Sequence, residues 1–192
     1  MNLFDQFISL FKKYPSVPYR KENSVMIDLE QIKKSDKLSK NFRLSEFTKS
    51  QTAARLGIPN NPTDEHLINI KRLVDNFLQP LRDKINKPLV VTSGYRSEEL
   101  NDEIGGSETS QHSKGQAVDI ECFGMSNKEL ATYIKNNMDF DQLILEFYNP
   151  DEGPNSGWVH VSFVGESNRK EVLSAIKRTG EKLRYVHGIT SE

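Results

Sequence analysis

The sequence predicts an α+β fold: a small antiparallel sheet flanked by helices. Two observations carry this expectation. Apolar residues recur at helical spacing up to about residue 86, and a set of short β-rich runs separated by polar turns follows. The 192 residues suit one domain with an extension, and a domain of ~150 residues can bury about 70% of its unfolded surface. Three segments are expected: an extension over 1–40, a folded domain over 41–178 and a tail over 179–192.

In the extension, Leu3, Phe4, Phe7, Ile8 and Phe11 share one face of a helix that Pro15 and Pro18 end. Residues 3–14 are expected to dock on the protein's own surface, with a membrane surface or a protein partner as the alternative. Ser45 and Ser50 read as helix starts, and Gly57 as a helix stop. Thr63 caps a longer helix whose core face is Leu67, Ile70, Val74, Phe77, Leu81 and Ile85, with Pro80 kinking or dividing it. Leu89–Ser93 reads as a strand and Ser97 as the start of a short helix. A strand through Ala117, Asp119 and Glu121 follows, then a helix opened by the capping box of Ser126 and Glu129. Asp141–Phe147 and Trp158–Phe163 read as strands around a turn-rich loop. Asn168 with Glu171 reads as the start of a last helix carrying Val172, Leu173 and Ile176.

Composition excludes several classes. The formal net charge of −1 gives no global electrostatic case for nucleic acid. No run approaches the ~18 apolar residues of a membrane span, and the first residues lack the basic region of a secretion signal. The one cysteine, Cys122, has no internal partner and is expected to be a small buried hydrophobe.

Chemistry concentrates in Ser110-Gln-His112-Ser-Lys-Gly115-Gln-Ala117-Val-Asp119 and in Trp158-Val-His160. Alternation along a strand puts Asp119 on one face and His160 on the like face of a second, so neighbouring strands can aim His112, Asp119 and His160 at one point. Two imidazoles and a carboxylate suit a catalytic Zn²⁺ with an open position, and suit non-haem Fe(II) as well. The small residues Ser110, Ser113, Gly115 and Ala117 leave room for a substrate. Glu146, in the otherwise apolar strand Leu143–Phe147, is the general-base candidate. Arg96, in the polar turn Ser93-Gly-Tyr-Arg96, suits an oxyanion or a substrate carboxylate. Tyr95, Ser110 and Trp158 are candidate substrate contacts, with simple packing the equal alternative for Tyr95 and Trp158.

The run from Phe42 to about Phe163 resembles the zinc D-alanyl-D-alanine carboxypeptidase family of peptidoglycan peptidases, which includes phage endolysins. The matching text is Ser93-Gly-Tyr-Arg-Ser97, Gly105-Gly-Ser107, Ser110 to Asp119, Asp141-Gln-Leu-Ile144 and Trp158-Val-His160. The vancomycin-resistance D,D-dipeptidases and the Hedgehog signalling domain look like relatives. The resemblance implies zinc on His112, Asp119 and His160, Arg96 holding substrate oxygens, and stem peptides of peptidoglycan as substrate. Many members place a Glu three residues before the last His, or a His two before it. This chain has Gly157 and Trp158 there, and Glu146 looks like the position used in the Hedgehog-type arrangement.

The function these readings imply is metal-assisted amide hydrolysis. Glu146 takes a proton from water and passes it to the departing amine, while Arg96 shares the oxyanion charge. The alternatives are a catalytically silent zinc-stabilised binding module and a phage structural component docked through its first forty residues. Action on the cell wall without an export signal implies release by a separate phage protein or delivery within a virion.

Overall fold

A computed structural model describes residues 27–191. The helices come first: α1 (Leu29–Ser35), α2 (Leu44–Thr48), α3 (Gln51–Leu56) and α4 (Asp64–Leu73), which runs through a π-helical turn (Val74–Leu78) into α5 (Gln79–Ile85). Then come β1 (Leu89–Ser93), α6 (Glu98–Glu103), a 3₁₀ turn (His112–Lys114), β2 (Ala117–Cys122) and α7 (Asn127–Asn137). β3 (Gln142–Glu146), a 3₁₀ turn (Pro150–Glu152), β4 (Trp158–Ser162), β5 (Glu171–Ile176) and β6 (Arg184–His187) complete the chain.

Local signals set most helix ends. Ser50, Thr63, Ser97 and Ser126 each accept a backbone N–H of the first turn, and Ser126 and Glu129 form the expected capping box. Ser45 is not the cap of its helix: Arg43 is, and the Ser45 hydroxyl donates to Asp36 instead. Pro80, lacking an N–H, divides the long helix. The chain widens into the π turn just before it, and Val74, Phe77, Leu78 and Leu81 all stay fully buried. The expected 3–14 helix lies outside the described residues. The end of the expected extension belongs to the fold, because Ile32 and Leu38 are buried in the main core.

The six strands lie in the order β1-β2-β4-β3-β5-β6. One face, carrying Leu89, Val91, Val118, Ile120, Leu143, Leu145, Val159 and Val161, packs in one apolar cluster with the long helix and with Leu130, Ala131 and Ile134 of α7. The other face carries Asp119, His160 and Glu146. The sheet is mixed, not antiparallel as expected, because β5 pairs parallel to β3. The cause is order: β4 turns back onto one side of β3, so the next strand must cross to the free side and runs the same way. The expected last helix is β5. Val172, Ser174 and Ile176 alternate with Leu173 and Ala175 as a strand requires. The Asn168 side chain, read as a helix cap, instead bonds Val164 and Asp139. The expected tail supplies β6, which pairs antiparallel with β5.

Asp141 pins the crossing. Its buried carboxylate accepts the Arg169 backbone N–H at 3.0 Å and guanidinium bonds at 2.7 and 2.9 Å. It also accepts Gln111 Nε2 at 2.9 Å and the Ser162 hydroxyl at 3.3 Å. Burial alone would raise its pKa, but the bonds from Arg169 and Gln111 outweigh it and hold the carboxyl down at about 2. A depressed carboxyl contributes stability above its unfolded value and loses it as the pH falls through the folded one. Asp141→Asn is expected to lose about 1–3 kcal/mol at neutral pH in urea unfolding. The gap from the parent should shrink as the pH falls from about 4 to about 2; a gap that persists unchanged would contradict this account of Asp141.

Candidate metal centre

The register between β2 and β4 sets Asp119 opposite His160, and directly opposed residues point to one face. His112 arrives on the 3₁₀ turn that leads into β2. That turn closes at Gly115, whose φ is +68° and whose place holds no side chain: a Cβ there would sit 2.6 Å from the His66 carbonyl oxygen. The glycine thus lets the turn press against α4 and swing His112 over the sheet.

Three donor atoms converge. Asp119 Oδ1 lies 2.9 Å from His160 Nδ1 and 3.3 Å from His112 Nε2, and the two ring nitrogens are 3.1 Å apart. His112 Nδ1–H donates to the Gly94 carbonyl at 2.7 Å. That bond fixes the tautomer, so the Nε2 lone pair faces the other two donors. Lone pairs this close repel unless a proton or a cation lies among them, so the donor set fits a metal ion. All three side chains are buried, and their ligand atoms lie within 4.8 Å of one another. Burial alone would raise the Asp119 pKa; the two imidazoles outweigh it and hold the carboxyl well below the usual range.

Arg96, the candidate for substrate oxygens, is also tied to the cluster. Its Nη2 donates to Asp119 Oδ2 at 2.9 Å and to Ser93 Oγ at 3.0 Å, and its Nε to Ser93 Oγ at 3.1 Å. A break in register between Val91 and Ser93 sets Ser93 opposite Asp119 and makes this contact possible. The guanidinium therefore orients the carboxylate, leaving Nη1 for other partners.

Glu146 ends β3 opposite Trp158. Burial drives its pKa up to about 7; Asp119 adds to the rise, while His160, Arg96 and the Trp158 indole oppose it. The Trp158 Nε1–H is buried beside Glu146 without a hydrogen bond of ordinary geometry. Gly157, where many of the resembling peptidases carry Glu, has φ +65°, and a Cβ there would meet the Glu146 carbonyl oxygen at 1.9 Å. No side chain fits at that position; among the described residues it is Glu146 that the sheet places on this side of the cluster. Of the two readings for Tyr95, cleft lining or packing, the structure shows packing: it is buried, with its hydroxyl 3.1 Å from His66 Nδ1. Its backbone N–H is bound to the Phe47 carbonyl at 2.7 Å, which sets the turn from which the ring enters the core. That pairing also gives His66 a partner which sequence spacing did not reveal. Ser110 is half-buried in the loop before His112, its N–H donating to the Ser107 carbonyl.

A family model described as Peptidase M15 matches residues 40–162, a span that includes all three donor residues and Glu146. A search of curated proteins found no match to this chain. Replacing a donor and replacing the group that orients it should differ in degree. His112→Ala is expected to abolish stoichiometric metal binding, whereas Arg96→Ala should weaken it about 10–100-fold. Chelator competition on the two purified variants measures both, and equal affinity in Arg96→Ala and the parent would refute the orienting role.

Proposed function

The chain belongs to the peptidase M15 family, and from that premise we propose that it is a zinc-dependent hydrolase of peptidoglycan stem peptides with Glu146 as general base. It acts as a D-alanyl-D-alanine carboxypeptidase or as an endopeptidase within the stem. The observation that carries the reading is a half-buried carboxylate on the sheet face that bears the His112–Asp119–His160 cluster, in an environment that raises its pKa toward neutrality. Withdrawing a carboxylate from water is costly, and a silent binding module has no use for one there.

His112, Asp119 and His160 would hold the ion, His112 through Nε2 and His160 through Nδ1. When bound, zinc supplies Lewis-acid chemistry, acidifying a water and polarising a carbonyl. Asp119 is kept anionic by the imidazoles and by the ion pair with Arg96. Glu146 takes the proton of the attacking water and returns it to the departing amine, a role that calls for a pKa near the working pH. Trp158 stands opposite Glu146 on the neighbouring strand and narrows its access to solvent. The Nη1 edge of Arg96 is available to a substrate oxygen.

Zinc-loaded protein, incubated with purified peptidoglycan and with D-alanine-terminated stem peptides, should release terminal D-alanine or expose a new amine, read by mass spectrometry. Glu146→Gln should lower turnover about 10²–10⁴-fold with metal content unchanged; undiminished hydrolysis would remove Glu146 from the role. A base must be anionic, so kcat/KM should rise with pH through the Glu146 pKa. A bound dication pulls that value down, which places the acid limb below about 7.

A further inference from the structure

The hairpin of β5 and β6 lies beyond the residues matched by the family model. It nevertheless extends the row of residues that contains Glu146. Trp158 stands opposite Glu146, Glu146 opposite Ala175, and Ala175 opposite Tyr185. Opposed residues share a face, so Tyr185 stands on the face that bears the metal cluster. In this row the residue between it and Glu146 is the small, fully buried Ala175. Tyr185 itself is 56% exposed and serves no core. No hydrogen bond among the described residues occupies its hydroxyl, whereas the hydroxyl of Tyr95 is taken up by His66.

Across Glu146 lies a second aromatic surface. Phe147 has left-handed backbone (φ 54°), and its ring packs against Trp158 with centroids 5.1 Å apart. The carboxylate is thus flanked by aromatic rings along one row: Trp158 and Phe147 on one side, Tyr185 on the other. Rigid aromatic rings with a polar tip bind peptides at low entropic cost.

We propose that Tyr185 is a substrate-binding residue: its ring walls the cleft on the β6 side of Glu146, and its hydroxyl donates a hydrogen bond to a carbonyl or carboxylate oxygen of the bound peptide. This rests on the peptidase reading above. Burial and the nearby Glu146 carboxylate both raise the phenol pKa, so the group remains a donor across the neutral range.

The test compares zinc-loaded parent, Tyr185→Phe and Tyr185→Ala on soluble uncross-linked and cross-linked muropeptides, with metal content confirming that each variant is folded. Tyr185→Phe is expected to raise KM about three- to tenfold with a smaller change in kcat, as loss of one neutral hydrogen bond implies, and Tyr185→Ala to raise it further. An active parent whose KM is matched within about twofold by Tyr185→Phe would overturn the proposal and leave the peptidase reading standing. An unchanged KM with a shifted acid limb would also overturn it, making Tyr185 a neighbour of Glu146 and no more. A zinc-loaded parent that neither cleaves nor binds these peptides would overturn both.

Discussion

The site depends above all on one register. Asp119 and His160 face each other across β2 and β4, and the side-chain period of a strand is two. A slip of one residue would send one of them into the apolar cluster and expose a core valine in its place. The alternation that buries Val118, Ile120, Val159 and Val161 is therefore the same alternation that assembles the donors. Core packing specifies the register, and the polar cluster inherits its geometry without having to supply the energy for it.

Two carboxylates on one face are driven apart in character by what surrounds them. Asp119 is shared, with Oδ1 toward the imidazoles and Oδ2 toward Arg96, so its charge is compensated on both sides. Among the described residues Glu146 has no ion pair; it stands opposite Trp158 and close to the negative charge of Asp119. One is therefore held anionic and the other poised to take up a proton. That separation matches the roles proposed above, a metal donor for the first and an acid–base group for the second.

Much of this was legible in the sequence where the determinants are local. The helix caps at Ser50, Thr63, Ser97 and Ser126 are side-chain-to-backbone bonds spanning three residues, and the strand faces follow from alternation. The donor triad was legible because its members lie on or beside strands whose faces were readable. What failed depends on distant partners. Asn168 and Glu171 imitate a helix start, yet Asn168 bonds across the chain, and the alternation of Val172–Ile176 was the better signal. The parallel pairing of β3 and β5 follows from which edge of β3 remained free, a tertiary fact. The choice of packing for Tyr95, and the bonds that tie Arg96 to Asp119, were not legible for the same reason: they depend on Phe47, His66 and Ser93. Tyr185 and His187 alternate with Arg184 and Val186, a strand signal masked by the polarity of the surrounding segment.

The loop between Glu146 and His160 is rooted at both ends. The Ser156 hydroxyl bonds to the backbone of Asn149 and Gly153, and Asn127 of α7 holds the carbonyls of Ser156 and Gly157. Gly157 then lies against the backbone of Glu146 itself. The loop leaves and re-enters the fold at one fixed point, and lengthening such a loop costs only about 0.6 kcal/mol per doubling. Residues 150–155 are thus a natural insertion point beside the reactive centre. Recognition elements can be exchanged there, by evolution or by grafting, while Glu146 and His160 on either side remain in place.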